Sequence, residues 1–291
     1  FVSHQSADVW AHQNTFLLRD DGYPEFVAGA PPDAFAHDGQ RWGNALYDWE
    51  VHERTGFAWW IERIRRQLEL FDVVRLDHFI GFRRYWRIPS ESDTAMDGCW
   101  INAPGEKLFD ALTDAFGRLP LIAEDLGSVT QEVWDLRDRY HLPGMKVLQF
   151  GFGPGGTDLH RPDCYPRESV AYTGTHDSDT TRGWYEALRH RAAAGDGHAG
   201  QELQHIHEYM GTADEADVVL ASVRALFESP AKTVIVPVQD ILGLDGRHRM
   251  NKPGTNANNW KWRLRDGALE ADLAKQLRSM TQQTNRLPGT G

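Results

Sequence analysis

Five short apolar runs punctuate this chain, at 72–76, 119–123, 145–150, 170–173 and 233–238. Their hydrophobicity is continuous rather than alternating, which is the pattern of strands buried on both faces of a parallel sheet covered by helices. Stretches with helical periodicity separate them, at 59–70, 106–119, 130–140, 180–190 and 213–227. Strand followed by helix, repeated along the chain, predicts the α/β class. A doubly wound nucleotide-binding sheet should carry a Gly-rich turn after an early strand, and neither GxGxxG nor GxxxxGK[ST] occurs. The expected layout is therefore the closed (β/α)8 TIM barrel, whose functional groups project from the C-terminal ends of several strands. Four of the five runs end in Asp, Glu or Gln beside another polar residue, as that layout requires.

Two further segments refine this picture. Residues 22–49 are rich in Gly, Pro and aromatics and lack periodicity, so they are expected to form a long loop, functional or a lid. The opening FVSHQSADVW looks like the end of another strand and the start of its loop. That makes about six strands, where a closed barrel needs about eight. With no initiating Met, 1–291 is expected to be a single catalytic barrel domain that is the C-terminal part of a longer enzyme, holding about strands 3 to 8.

Composition excludes several functions. At 41% hydrophobic and 25% charged, 291 residues can bury a full-sized core. A net charge of −11 argues against a nucleic-acid or anionic-membrane partner, because both need a basic surface. The two cysteines, Cys99 and Cys164, lack CxxC spacing and suggest a reducing compartment. No apolar run reaches membrane-span length and no signal-peptide pattern opens the chain, so a cytoplasmic location is expected. Eleven tryptophans are an unusual number; Trp covers the apolar faces of sugar rings well, although core packing accounts for most.

Carboxylates stand at the ends of three of the runs. In RLDHF, strand alternation sends Arg75 and Asp77 to one side, where the cation would keep Asp77 ionised as a nucleophile; a structural ion pair is the alternative. In PLIAEDLG, a carboxyl sunk among apolar neighbours has a raised pKa, which makes Glu124 a candidate general acid/base. Asp125 reads as a cap or loop hydrogen-bonding group. In AYTGTHDSDTT, His176 and Asp177 follow a third run, and Asp179 reads as a helix cap. A metal reading of His-Asp is disfavoured, because no second histidine stands at ligand spacing. Glycoside cleavage uses such a set, with one anion to stabilise an oxocarbenium-like state and an acid to protonate the leaving oxygen.

The order RxD, Glu, HD on successive strands resembles the α-amylase superfamily. The strings VVRLDHFIGFRRYWRIP, LIAEDLG, GMKVLQFGF, YTGTHDSDTTRGWY, PVQDILGL and RMNKPGT with NWKWR resemble the 4-α-glucanotransferases called amylomaltases or disproportionating enzymes, glycoside hydrolase family 77, over essentially the whole chain. The resemblance implies Asp77 as nucleophile, Glu124 as acid then base, and Asp177 as transition-state stabiliser. It implies assistance from Arg75, His78 and His176, and glucan contacts from Phe35, Gln40 and Trp42 on a mobile loop, with Phe150, Gln239 and Asn251 as further contacts. It implies no cofactor and no metal, with maltooligosaccharides and other α-1,4-glucans as donors and glucose or glucan as acceptor. An α-glucan hydrolase or a non-catalytic glucan-binding module would carry many of the same features. Ala34, where the family often has a larger residue, and Gln5, where many members carry an acid, depart from the pattern.

Overall fold

The structure is a computed structural model that describes residues 1–32, 36–153, 158–255 and 257–287. Contacts divide the chain into two units, Phe1–Gly144 and Met145–Gly291.

The first unit contains α1 (Ala7–Ala11), β1 (Phe26–Ala30), β2 (Gln40–Ala45), α2 (Trp49–Arg54), α3 (Ala58–Leu70), β3 (Val74–Leu76), β4 (Arg84–Pro89), β5 (Cys99–Asn102), α4 (Gly105–Phe116), β6 (Leu121–Ala123) and α5 (Gln131–Arg139). Strands β3 and β6 pair in parallel, with Val74 opposite Leu121 and Leu76 opposite Ala123. Ala123 pairs in turn with Gly144, the first residue of β7 (Gly144–Val147). Helix α3 buries Trp60 and Ile64, one turn apart, and α4 buries Leu108, Phe109 and Leu112. These side chains share a core with Phe57, Phe79, Phe82 and Leu121. Gly105 opens α4 for a steric reason, since a Cβ there would lie 2.2 Å from the Phe82 carbonyl oxygen.

Much of 22–49 is not a loop. It forms β1 and β2, which pair antiparallel with each other and, through β1 with β4 and β4 with β5, build a four-stranded sheet ordered β2-β1-β4-β5. The strands are hard to read because the buried positions of β1 include Ala28 and Gly29, while β2 is an edge strand exposed at Gln40, Arg41 and Trp42. A Cβ on Gly29 would meet the Gln40 carbonyl oxygen at 2.2 Å, so the close pairing requires glycine.

The second unit continues from β7 through β8 (Ser169–Tyr172), α6 (Thr181–Ala193), α7 (Gly197–Met210), α8 (Glu215–Glu228), β9 (Thr233–Ile235), α9 (Val238–Ile241) and α10 (Ala271–Gln283). Strands β8 and β9 are parallel, with Val170 opposite Thr233 and Tyr172 opposite Ile235. The core gathers Leu148, Phe152, Ala171, Tyr185, Leu188, Ile206, Val218 and Leu226. Two expected strands are shorter than their runs, because 148–150 turns into a 3-10 helix and 238 begins α9. Helices α7 and α10 lie outside the expected set. Their apolar stripes are thin, with Ala199 and Ile206 buried in one and Met280 in the other.

The chain is thus α/β with parallel strands. Among the described residues, no helix is long and apolar enough to cross a membrane.

Candidate active site

In the first unit the site is built where β3 and β6 end. Arg75 lies inside β3 and Asp77 just past it, and the expected same-side placement brings Arg75 Nη1 to 2.8 Å from Asp77 Oδ1. The Asp77 side chain is 77% exposed, so its carboxylate is presented rather than buried. His78 then takes a left-handed conformation, φ 50°, which turns the chain out of the strand. That turn aims the His78 amide at Glu124, donating to Oε2 at 2.6 Å, while the Leu126 amide donates to Oε1 at 3.2 Å. The backbone is stitched as well, Glu124 N donating to the Leu76 carbonyl and Phe79 N to the Glu124 carbonyl, both at 3.0 Å.

Burial raises Glu124 to about 7, and the nearby Asp77 charge adds to this, against the pull of Arg75 and the two amides. The group is therefore poised to give and take a proton near neutral pH. Burial lowers His78 to about 4, so its imidazole is neutral there. Its Nε2 is enclosed and has no hydrogen-bond partner among the described residues. Trp42 meets the His78 ring edge-on at 4.8 Å, and its indole N–H donates to Gln40 Oε1 at 3.1 Å. Gln40, Trp42 and His78 are thus linked, while Phe35 lies outside the described residues.

In the second unit Asp177 follows β8. Asn251 Nδ2 donates to its Oδ1 at 2.6 Å, His176 Nε2 lies 3.3 Å from Oδ2, and Arg249 Nη2 donates to its main-chain carbonyl at 3.0 Å. The His176 ring packs on Trp260 at 5.3 Å. A cavity of about 260 Å³ opens here, lined by His176, Asp179, Gln239, Arg249 and Trp260 among others. Gln239 is buried, and its amide donates to the His248 carbonyl at 3.2 Å. Phe150 ends a 3-10 turn instead, with a half-exposed ring edge-on to His160.

A sequence profile described as 4-alpha-glucanotransferase matches residues 1–270. The chain belongs to this family. It is 47% identical to the 4-alpha-glucanotransferase of Thermus thermophilus over 99% of its own length and 57% of that protein. Identity to the chloroplastic/amyloplastic 4-alpha-glucanotransferase of Solanum tuberosum is 42%, over 99% of this chain and 49% of the relative. Among solved structures, the amylomaltase of Streptococcus agalactiae in complex with acarbose superimposes with a TM-score of 0.91 at 35% identity, covering 99% of this chain and 56% of that one. The chain spans about half the length of the curated relatives it matches.

Within this family member, several site-forming residues carry no readable signal in the local sequence. Asp125 is not a cap; its side chain is fully buried and ion-paired with Arg137 of α5. Asp179 is not the cap of α6 either. Thr180 holds that position, accepting from Gly183 N, while Asp179 accepts from Thr180 N at 2.8 Å and pairs with Arg249 at 3.5 Å. Asp240, buried in α9, accepts from Thr181 N at 2.7 Å and from the Thr181 hydroxyl at 2.8 Å, bracing the start of α6. Arg249 and Trp260 sit in coil and turn without periodicity, and only the strings RMNKPGT and NWKWR pointed to them.

Proposed function

We propose that the chain carries the catalytic groups of a 4-α-glucanotransferase that moves a segment of an α-1,4-glucan to the 4-hydroxyl of glucose or another glucan, with retention. The observation that carries this reading is Glu124, held by the amides of His78 and Leu126 with its proton affinity raised to about 7, beside an exposed, Arg75-paired Asp77. In the first step an Asp77 carboxylate oxygen attacks C1 of the donor glucose unit. The bond from C1 to the departing O4 breaks, and Glu124 gives its proton to that oxygen. A β-glucosyl ester on Asp77 results. In the second step Glu124 takes the proton from an acceptor 4-hydroxyl, whose oxygen attacks C1 and releases Asp77. The α-linkage is restored and no atom is left over.

Arg75 orients Asp77 through its 2.8 Å hydrogen bond, and the neutral His78 ring and Trp42 offer a polar edge and an apolar face to a sugar. Asp177, gripped by Asn251, is the anion that stabilises positive charge at C1 in the transition state. No step needs a cofactor or a metal. On this reading the parallel strands are about strands 3 to 8 of a (β/α)8 barrel, as the position of the acidic groups just past β3, β6 and β8 supports, and the enzyme acts in the cytoplasm.

The test is incubation with maltotriose followed by chromatography. Two maltotrioses should yield maltopentaose and glucose. Reducing sugar without longer products would replace transfer by hydrolysis, and no change would remove the enzymatic reading for this chain.

A further inference from the structure

The Asn251 contact with Asp177 spans two pieces of chain that regular structure does not hold together. Asp177 lies in a turn after β8, and 249–251 belongs to neither a helix nor a strand. A rotatable amide on irregular backbone keeps a 2.6 Å hydrogen bond only if something fixes both ends.

Arg249 does so with one planar group. Its Nη2 donates to the Asp177 carbonyl at 3.0 Å, and its Nε donates to the Asn251 carbonyl at 2.9 Å. The guanidinium, the Asn251 side chain and Asp177 therefore form a closed ring of contacts. The fork is anchored in turn, because Nη1 is ion-paired with Asp179 Oδ2 at 3.5 Å. Asp179 has little room to move. Its Oδ1 accepts from Thr180 N, and a Cβ at Gly183 or Gly246 would stand only 2.6 or 2.9 Å from that oxygen.

We infer that Arg249 is a positioning residue, whose guanidinium orients the Asp177 carboxylate by fixing the two backbone segments that the Asn251 hydrogen bond must bridge. This deepens the glucanotransferase reading and rests on it for the role of Asp177. Lysine cannot substitute, since a single ammonium on a flexible stem lacks the rigid fork that reaches both carbonyls.

Two measurements test it. In maltotriose transfer, Arg249→Ala should lower kcat by about 10- to 100-fold with KM changed by less than about threefold, Arg249→Lys should fall between, and the exposed Arg247→Ala should match the unsubstituted chain. In the chain itself, hydrogen exchange of the Asn251 side-chain amide, followed by nitrogen-15 NMR, should quicken by at least about tenfold in Arg249→Ala and by less in Arg249→Lys. An unchanged Asn251 exchange rate in a folded Arg249→Ala protein, or an unchanged kcat, overturns the inference. If the unsubstituted chain makes no transfer products, the glucanotransferase reading fails instead, and the exchange rate still decides whether Arg249 sets the contact.

Discussion

The main-chain amide of His78 donates to Oε2 of Glu124 at 2.6 Å, so the residue next to Asp77 in sequence fixes the carboxyl group at the end of the neighbouring strand. The spacing of the Asp77 and Glu124 carboxyl groups is thereby tied to two paired strands and one left-handed turn rather than to flexible side chains.

Glu124 makes both activity and stability depend on pH. As the proposed acid of the first step it must be protonated, so kcat should fall as pH rises through about 7. Glu124→Gln should remove that limb and lower kcat by about 10²- to 10⁴-fold. For stability, the folded-state value lies above the ordinary glutamate value of 4.5, so the unfolded chain releases its proton first. The unsubstituted protein should lose stability relative to Glu124→Gln as pH rises from 4.5 to about 7, by up to about 3 kcal/mol. Denaturant titrations of both proteins across that window check the sign; a constant difference would contradict it.

Asp77→Asn should lower transfer by about 10⁴-fold or more, because the amide cannot form the glucosyl ester. The side chain is mostly exposed, so the thermal midpoint should shift by no more than a few degrees. Parallel product chromatography and circular dichroism melting separate the two effects.

Asp125 predicts the opposite pattern. Its removal leaves Arg137, only 15% exposed, without its buried partner. Asp125→Ala should cost about 3–5 kcal/mol in urea unfolding.

Asp240→Ala should destabilise the second unit by about 2–4 kcal/mol, since the hydroxyls of Thr173 and Thr181 and the Thr181 amide all lose their acceptor. Amide exchange at the first turn of α6 should accelerate more than exchange in α7, which Asp196 caps independently.

The legible parts share a cause. The runs around Val74, Leu121, Met145 and Val170 became parallel strands, the last three mostly buried and the first half-buried, because continuous apolar sequence has few other uses in a chain of this size. The sheet of β1, β2, β4 and β5 was not legible, since strand pairing through Gly29 and an exposed edge leaves no alternation to read. The partners of Asp125 and Asp179 were not legible for a related reason. Asp125 comes directly after Glu124 and Asp179 two positions after Asp177, and whether the partner of each is a helix amide or a distant arginine depends on residues 12 and 70 positions away.

The sequence by itself determined the α/β class, the family, and which carboxylates stand at strand ends, because periodicity and residue type act over a few neighbouring positions. Only the tertiary structure decided which carboxyl has its proton affinity raised, how that carboxyl is held, and what reaches the turn that carries Asp177. Those depend on the burial of Glu124, the amide that His78 turns toward it, and the reach of Arg249 from 72 residues away to the carbonyl of Asp177.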